Sequence, residues 1–284
     1  MSNKKVWLVT GASKGLGLSL VKLLLKEGNK VVATSRNKKS LIDAVGSPDK
    51  NFLPVETDLV NEASVQKAIA QSIQEFGRLD VVVNNAGYGL LGSLEELTDA
   101  EVRADFDVNV FGALNIIRAA MPVLRKQQSG HIINIASIAG VSGSWPGWGI
   151  YCATKFAMTG FTEALAAEVK DFGIKTTLVL PGYFRTNFLD SGSLVTPKQP
   201  IDAYVAVRQS QDFHLNTMNN QQQGDPEKAA SVMVDIVEQE QAPLYLFLGS
   251  DAYDIAQKKL DLLKNELEEW KDLTVSTNYE LANA

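Results

Sequence analysis

The stretch VWLVTGASKGLG, residues 6–17, decides the class of fold. It opens with an uninterrupted apolar run, which is typical of a strand buried on both faces of a sheet. It ends where leucines begin to recur every three or four residues, the spacing of one helix face. Gly11, Gly15 and Gly17 permit a tight turn between strand and helix. A helix start presents free N–H groups and a positive dipole end, so the turn is a candidate phosphate site, although close packing alone would also favour glycines there.

The same alternation of apolar strands and amphipathic helices runs through the rest of the chain. The predicted strands cover residues 6–10, 30–34, 52–57, 79–84, 131–136, 174–180 and 244–248, and the predicted helices residues 16–27, 61–76, 98–126, 150–172 and 251–272. Strands separated by helices require crossover connections, which make the strands parallel. We predict an α/β fold with one doubly wound parallel sheet of about seven strands, helices on both faces, and a single domain over residues 1–284. Pro54 favours a place near the sheet edge for the third strand.

Composition excludes several classes of protein. The chain has 284 residues and a formal net charge of −6 with no basic block, which argues against a nucleic-acid surface. Cys152 is the single cysteine, so no intrachain disulfide can form. With two histidines and one cysteine we expect no metal site. The apolar run at the start is short for a signal peptide and no uninterrupted apolar stretch is long enough to span a membrane, so we expect a cytoplasmic protein without membrane association.

Polar motifs follow the predicted strands, where parallel sheets bind their ligands. NNAG, residues 84–87, ends the fourth strand, and Ser137 ends the fifth. Tyr151 and Lys155 then lie four residues apart on a predicted helix, so both side chains leave the same face. A tyrosine beside a fixed cation ionises more easily than a free one, which would make it a proton donor and acceptor. Taken alone, the pair could also be an ordinary surface contact.

In order along the chain these motifs resemble the classical short-chain dehydrogenase/reductase family. The resemblance covers roughly residues 5–190 and rests on TGASKGLG, Asp58 after the third strand, NNAG, Asn109 in VNVFG, Ser137 in INIAS, YCATK, and Pro181-Gly182. It implies a Rossmann-type fold and an NAD(P)-dependent oxidoreductase acting on alcohol or carbonyl groups. By the same resemblance, Tyr151 exchanges a proton with the substrate oxygen and Ser137 hydrogen-bonds that oxygen. Lys155 lowers the tyrosine pKa and holds the nicotinamide ribose, and Asn109 anchors a water in a proton relay.

The resemblance also implies a coenzyme site. Its expected residues are Gly11, Ser13, Lys14, Gly15, Leu16, Gly17, Ser35, Arg36, Asp58, Leu59, Asn85, Ala86, Gly87, Tyr151, Lys155, Pro181, Gly182 and Thr186. NAD-preferring relatives carry an acid where this chain has Ser35, and here Arg36 follows. Since arginine accommodates the 2′-phosphate of NADP, and Lys14 adds a second positive charge, we predict NADP(H) rather than NAD(H). Each cation alone could equally be an ordinary surface residue.

One spacing departs from the family. The serine usually precedes the tyrosine by 13 residues, and here the gap between Ser137 and Tyr151 is 14. Ser142 or Ser144, in the longer loop, are therefore alternatives for the same role. We favour Ser137 because it closes the fifth strand.

The substrate end of the site is less constrained by sequence. Residues 187–224 carry no family motif and are predicted to form a lid, and Trp145, Trp148, Tyr183, Phe184 and Phe188 are the candidate apolar pocket. His214 is a candidate polar contact to substrate, although a single lid histidine is more often a surface residue. The extension over residues 249–284 is predicted to be helical and to pack either on the rim of its own pocket or on a partner subunit. We expect a homodimer or homotetramer.

Three functions fit the sequence. The first is an NADPH-dependent reductase of ketones or aldehydes with an apolar substrate. The second is an NAD(P)-dependent alcohol or hydroxysteroid dehydrogenase that works in the oxidative direction. The third is a non-catalytic NADP(H) sensor, which would be expected to have lost Tyr151 or Lys155, and both are present.

Overall fold

A seven-stranded sheet forms the centre of the computed structural model, which describes residues 4–190 and 192–279. Its strands are β1 (Val6–Val9), β2 (Lys30–Ser35), β3 (Phe52–Glu56), β4 (Val81–Asn84), β6 (Gly130–Ile135), β7 (Ile174–Pro181) and β9 (Tyr245–Leu248), while β5 (Gly89–Leu90) and β8 (Leu194–Val195) form a separate pair. The order in the sheet is β3-β2-β1-β4-β6-β7-β9, and every neighbouring pair is parallel. The predicted doubly wound parallel sheet is confirmed, with β3 and its Pro54 at one edge. The chain order reverses on the two sides of β1, which creates the crevice where such sheets bind ligands.

Helices cover both faces of this sheet. They are α1 (Gly15–Lys26), α2 (Lys38–Val45), α3 (Glu62–Phe76), α4 (Asp99–Phe106), α5 (Gly112–Gln127), α6 (Gly149–Val169), α7 (Val205–Asp212), α8 (Pro226–Glu238), α9 (Ser250–Glu269) and α10 (Lys271–Val275). Alternate side chains of β1 point to opposite layers, as the pleat of a strand requires. Trp7 and Val9 pack with α1, α2 and α8, whereas Val6 and Leu8 pack with α3, α5 and α6. Burial on both faces explains why the strands are continuous apolar runs.

The long helical run 99–127 contains one irregular turn. Residues Asp107–Phe111 form a π-helical segment between α4 and α5, directly before Gly112. Single π turns inside helices often occur at functional sites, and this one carries Asn109. By length and composition the run could cross a membrane, but half of its most apolar window is buried inside the fold, as in a core helix of a parallel-sheet protein.

The predicted lid is built from short pieces. After β7 the chain forms the 3₁₀ turn Asn187–Leu189, strand β8, helix α7 and a second π-helical segment, Phe213–Met218. Strand β8 pairs with β5, which follows NNAG, so the small sheet ties the lid to the edge of the crevice. Helix α8, which the sequence analysis did not predict, starts with Asp225 as N-cap and Pro226 in its first turn, a recognisable helix start.

The C-terminal helix is present, and only its first turns lie against the rim of the cleft. Ala252 and Ala256 at the start of α9 are buried against the domain, whereas every residue from 260 to 279 is exposed. Ala252 and Ala256 cluster with Ile138 and Trp145, which line the cleft, so the start of α9 packs on the rim of its own pocket, the first of the two alternatives. Residues 280–284 of the predicted extension, like Ser191 of the lid and residues 1–3, lie outside the described part of the chain.

Candidate active site

An elongated cleft of about 580 Å³ lies over the carboxyl ends of the strands. It begins at the turn between β1 and α1, passes the ends of β2 and β4, and reaches Ser137, Tyr151 and the lid. Of the expected coenzyme residues, the wall contains Gly11, Ser13, Lys14, Gly15, Leu16, Ser35, Arg36, Asp58, Leu59, Asn85, Ala86, Gly87, Tyr151, Lys155, Pro181, Gly182 and Thr186. These residues come from six separate segments of the chain, which meet because the parallel strands all end at the same edge of the sheet.

The glycine turn has the backbone geometry that the sequence indicated. Gly11 and Gly15 adopt φ values of +63° and +59°, which side chains disfavour. A β-carbon on Gly11 would lie 2.7 Å from the α-carbon of Ala86, and one on Gly17 would lie 2.4 Å from Nδ2 of Asn85. Gly17 therefore serves close packing beneath the turn, and its expected place in the coenzyme-contacting wall is wrong.

Asn85 holds the glycine turn from the neighbouring strand end. Its Nδ2 donates to the carbonyl oxygens of Thr10 and Gly11 at 2.9 and 3.1 Å. Helix α1 then begins without an acidic residue in its first turn, and the side chain of Lys14 at the N-cap does not cap it. The helix N-terminus consequently keeps its N–H groups and dipole available for an anion, and the residues fit the pyrophosphate of a dinucleotide.

The adenosine end of the cleft carries positive charge and no acid at the end of β2. Ser35 and Arg36 line the cleft there, and Lys14 lines it from the glycine turn. The hydroxyl oxygens of Ser35 and Ser13 are 3.5 Å apart, which joins the two segments. Asp58 lies on the same wall, where its Oδ1 accepts from the backbone N–H of Val60 at 3.1 Å.

Ser137 occupies the reacting end of the cleft, as its position after β6 predicts. Its Oγ accepts from the backbone N–H of Ala139 at 3.1 Å, and the same side chain lowers the pKa of Tyr151. Ser142 and Ser144 instead hydrogen-bond each other, with 3.2 Å between their hydroxyl oxygens. The extra loop residue is accommodated without moving Ser137 away from Tyr151.

Tyr151 and Lys155 leave the same face of α6, one turn apart, and both are buried. Nζ of Lys155 donates to the carbonyl oxygen of Ile135 at 3.0 Å and lies 5.6 Å from the centroid of the Tyr151 ring. Burial raises the pKa of Tyr151, and the hydrogen bond with Ser137 lowers it. Burial lowers the pKa of Lys155 to about 8, and the charge of Asp105 raises it. The phenol in this setting keeps its proton at neutral pH, and the lowering of its pKa by Lys155 stays a prediction.

Asn109 lies behind the cleft wall. It is fully buried in the π-helical segment, where its Oδ1 accepts from the backbone N–H of Tyr88 at 3.0 Å and its Nδ2 donates to the Tyr88 carbonyl at 2.9 Å. A β-carbon on Gly87 would lie 2.9 Å from Oδ1 of Asn109 and 3.6 Å from Nζ of Lys155. The two polar side chains therefore flank the same point, so the relay implied by the family resemblance is compatible with this geometry.

The substrate end is aromatic. Trp145, Trp148, Tyr183, Phe184 and Phe188 all line the cleft, as predicted. The ring of Trp148 lies edge-on to that of Tyr151, with 5.4 Å between centroids, and the Phe188 ring lies at 5.7 Å from the same tyrosine. These contacts make the surroundings of the phenol mainly apolar.

His214 is neither a surface residue nor part of the cleft wall. It is 3% exposed and lies behind the wall, where its Nε2 and the hydroxyl of Tyr183 are 2.9 Å apart and its Nδ1 is 2.7 Å from the carbonyl oxygen of Ser210. The expected contact with substrate is therefore wrong. Tyr183 lies between the histidine and the cleft, and His214 fixes the position of that phenol.

Several wall residues escaped the sequence analysis. Tyr88 directly follows NNAG, so its place in the wall was detectable from the motif. Val195 and Gln222 come from the lid, and only the tertiary path of the chain brings them to the cleft. Among the described residues no group of three or more metal-ligating side chains comes together.

Comparison with known proteins agrees with this site. The family model described as short chain dehydrogenase matches residues 5–193. An oxidoreductase of Botryotinia fuckeliana, BOA17, is 34% identical over 275 residues, which are 96% of this chain and 99% of the relative. A 3-ketodihydrosphingosine reductase of Bacteroides thetaiotaomicron is 44% identical over 190 residues, which are 67% of this chain and 68% of the relative.

Solved structures give the same assignment. A short-chain dehydrogenase from Streptomyces avermitilis has a TM-score of 0.89 at 35% identity, covering 98% of this chain and 100% of that one. A short-chain dehydrogenase/reductase from Burkholderia phymatum in complex with NAD has a TM-score of 0.80 at 25% identity, covering 95% of both chains. A short-chain dehydrogenase from Burkholderia cenocepacia in complex with NADP has a TM-score of 0.72 at 28% identity, covering 94% of this chain and 97% of that one. The motifs, the cleft and these matches together make the chain an NAD(P)-dependent oxidoreductase of the classical short-chain dehydrogenase/reductase family.

Proposed function

We propose that the protein is an NADPH-dependent reductase that converts an apolar ketone or aldehyde to the alcohol. The observation that carries the proposal is the state of Tyr151. Its phenol is buried beside Trp148 and Phe188, and that burial raises its pKa, while Ser137 acts on it in the opposite direction. A phenol that holds its proton at neutral pH suits the donor that a reduction requires.

The residues of this site divide the reduction between them. The coenzyme, when bound along the cleft, supplies the hydride that adds to the carbonyl carbon. Tyr151 gives its hydroxyl proton to the carbonyl oxygen. The C=O double bond becomes a C–O single bond, with a new C–H bond from the hydride and a new O–H bond from the proton, and Tyr151 is left as the phenolate. Ser137 donates a hydrogen bond to the oxygen as negative charge develops there, which favours the transition state over the ground state.

Lys155 supports the phenolate that remains after proton transfer. Its ammonium is within 5.6 Å of the Tyr151 ring and is held by the Ile135 carbonyl, so its position is set before the reaction. A nearby positive charge stabilises a phenolate more than the neutral phenol. The same ammonium is suited to hold the nicotinamide ribose, and Asn109 lies beside it at Gly87.

Charge at the adenosine end supports NADPH over NADH. Arg36 and Lys14 line that end, and Ser35 stands where an acid would read the 2′-hydroxyl of NAD. Arginine meets a phosphate with two parallel N–H bonds, which neither hydroxyl nor amide can reproduce.

The aromatic end of the cleft supports an apolar substrate. Five aromatic residues line it, and the relative from Bacteroides thetaiotaomicron bears a name that states reduction of a keto group. An apolar group beside the carbonyl would be desolvated by these rings, which contributes roughly 25 cal/mol per Å² of buried surface.

The test is NADPH consumption against a panel of ketones and aldehydes graded by the size of the apolar group, with NADH in parallel. We expect turnover with NADPH that improves with apolar size. Faster oxidation of the matching alcohols with NAD would support the alcohol dehydrogenase instead. Tight NADPH binding without turnover of any compound would support the sensor.

A further inference from the structure

A buried carboxyl group adjoins the catalytic residues and has no role in the mechanism above. Asp105 lies in the last turn of α4, is 0% exposed, and precedes Asn109 by four residues on the same helical run. Its Oδ1 accepts from Nδ2 of Asn109 at 2.8 Å. Its Oδ2 has no hydrogen-bond partner in the described part of the chain. Burial of a carboxylate is costly unless a charge or hydrogen bonds compensate, so this group requires a physical explanation.

A chain of close polar contacts connects Asp105 to the catalytic turn of α6. Nδ2 of Asn109, which donates to Asp105, is also 3.2 Å from Oγ1 of Thr154. Thr154 in turn donates to the backbone carbonyl of Tyr151 at 2.8 Å. A change at the carboxyl therefore reaches the backbone of the proton donor through two intervening side chains.

The charged and titratable groups around Asp105 come from three elements. Lys155 and Tyr151 face it from α6, Tyr88 from the segment after β4, and Asp107 lies in the π-helical segment beside Tyr88. Lys155 is the cation that acts on the carboxyl, and no Lys, Arg or His of the described residues lies within 4.0 Å of it as an ion-pair partner. Lys155 is also buried, so water screens the pair little.

We propose that Asp105 is a positioning residue that keeps Lys155 charged and holds Asn109, so that the carboxyl tunes the catalytic site from behind the cleft wall. This inference rests on the proposed function and deepens it. Asp105 touches none of the reacting groups and acts through Lys155 and Asn109.

The pKa values of the two buried groups have the signs that such coupling requires. Burial raises the pKa of Asp105 to about 7, while the charge of Lys155 lowers it. Burial lowers the pKa of Lys155 to about 8, while the charge of Asp105 raises it. The negative charge of Asp105 favours the protonated form of Lys155, and the positive charge of Lys155 favours the ionised form of Asp105. When Asp105 takes up a proton as the pH falls, Lys155 therefore loses the negative charge that stabilises its ammonium.

The coupling can be measured in the protein without coenzyme or substrate. The ε-carbon resonance of Lys155, assigned by its loss in Lys155→Met, gives the titration midpoint of the ammonium. We expect Asp105→Asn, which keeps an oxygen for Asn109 but removes the charge, to move this midpoint to lower pH. Asp107→Asn is the matched control, because Asp107 is two residues further along the chain and partly exposed. It should leave the titration midpoint of Lys155 unchanged. An unchanged midpoint in Asp105→Asn would overturn the proposal.

The reciprocal measurement does not depend on the folding of Asp105→Asn. Aspartate labelled at the γ-carbon should show one carboxyl that titrates near neutral pH, and Lys155→Met should move that titration to higher pH. A spectrum in which no aspartate titrates above its ordinary range, or in which Lys155→Met has no effect, contradicts the coupling. Because neither measurement requires turnover, an inactive enzyme would count against the proposed function and leave this inference intact.

Activity then separates positioning from a merely structural role. The rate of carbonyl reduction should fall at high pH in both proteins, and in Asp105→Asn this fall should begin at a lower pH than in the wild type. Asp107→Asn is again the control. A uniform loss of rate at every pH, without displacement of the limb, would mean that Asp105 only supports the fold.

Discussion

Removal of one oxygen atom from Tyr151 tests the residue on which the chemistry depends. Tyr151→Phe deletes the proton donor but keeps the ring contacts with Trp148 and Phe188. We expect the turnover number to fall by about 10²-fold to 10⁴-fold, because general acid catalysis contributes about that much. Coenzyme affinity and the thermal unfolding midpoint serve as controls and should stay close to wild type. A variant that retains most of its rate would exclude Tyr151 as the donor.

The choice of coenzyme is also decided by single residues. A charge-assisted hydrogen bond contributes roughly 1.5–3 kcal/mol, so Arg36 should give NADPH a tenfold to hundredfold advantage over NADH in kcat/KM. The advantage should shrink at high salt because the site is open to solvent. Ser35→Asp combined with Arg36→Ile should reverse it, since the new carboxylate repels the phosphate and accepts from the ribose hydroxyl. Kinetics with both coenzymes check this, and a double variant that still prefers NADPH would contradict it.

At the scale of elements, the loop between β6 and α6 decides which serine acts. Ser137 reaches Tyr151, while Ser142 pairs with Ser144. Ser137→Ala should lower the rate on the order of 100-fold, the typical cost of one lost oxyanion donor. Ser142→Ala is the matched control in the same loop and should stay near wild type. If the control proved the sensitive position, the longer loop would have shifted the role.

The C-terminal helix can be tested as an element in the same way. Its first turns are anchored, because Ala252 and Ala256 are buried and Asp251 accepts from the backbone N–H of Tyr183 at 2.7 Å. Residues 260–279 are all exposed. A chain that stops after Lys259 should therefore unfold within about 2 °C of wild type, since few buried contacts are lost. Asp251→Ala is the contrasting variant and should unfold at lower temperature; the opposite ranking would contradict the anchor.

The stability of the whole molecule should depend on pH through His131. This side chain is 3% exposed, its Nε2 is 2.9 Å from Oγ1 of Thr177 on the next strand, and burial lowers its pKa to about 4. The unfolded chain has a pKa of about 6.5 there, so it binds protons that the folded chain cannot. The contribution is complete above about pH 6.5 and is lost as the pH falls towards about 4.

Urea unfolding at pH 7.5 and pH 5 measures the contribution of His131 to the free energy of unfolding. Between those values His131 should lose on the order of 2 kcal/mol of stabilisation. Asp105, whose pKa is raised, contributes with the opposite sign over the same range, and comparison of wild type with His131→Gln cancels it. The variant should start less stable at pH 7.5 and lose less on acidification. Equal losses in both proteins would mean that His131 is protonated in the folded state.

Local sequence determined the sheet, most of its helices and the order of the motifs. Apolar runs and helical spacing predicted the seven strands to within two residues at each end, because burial on both faces leaves little room for polar residues. Gly11 and Gly15 were readable because only glycine tolerates their backbone angles. Tyr151 and Lys155 were readable because one helical turn separates them. These are properties of neighbouring residues, which the sequence records directly.

Only the tertiary structure decided what lies behind the motifs. In the folded protein His214 is buried behind Tyr183, and Gly17 packs beneath the glycine turn and not in the cleft wall. Asp105 contacts Asn109, and the charge of Lys155 acts on its carboxyl. None of these arrangements follows from periodicity, since each depends on how segments far apart in sequence pack on one another. Burial then changes the chemistry as well as the position, because loss of water shifts the pKa values of Tyr151, Lys155 and Asp105 in ways that no local pattern records.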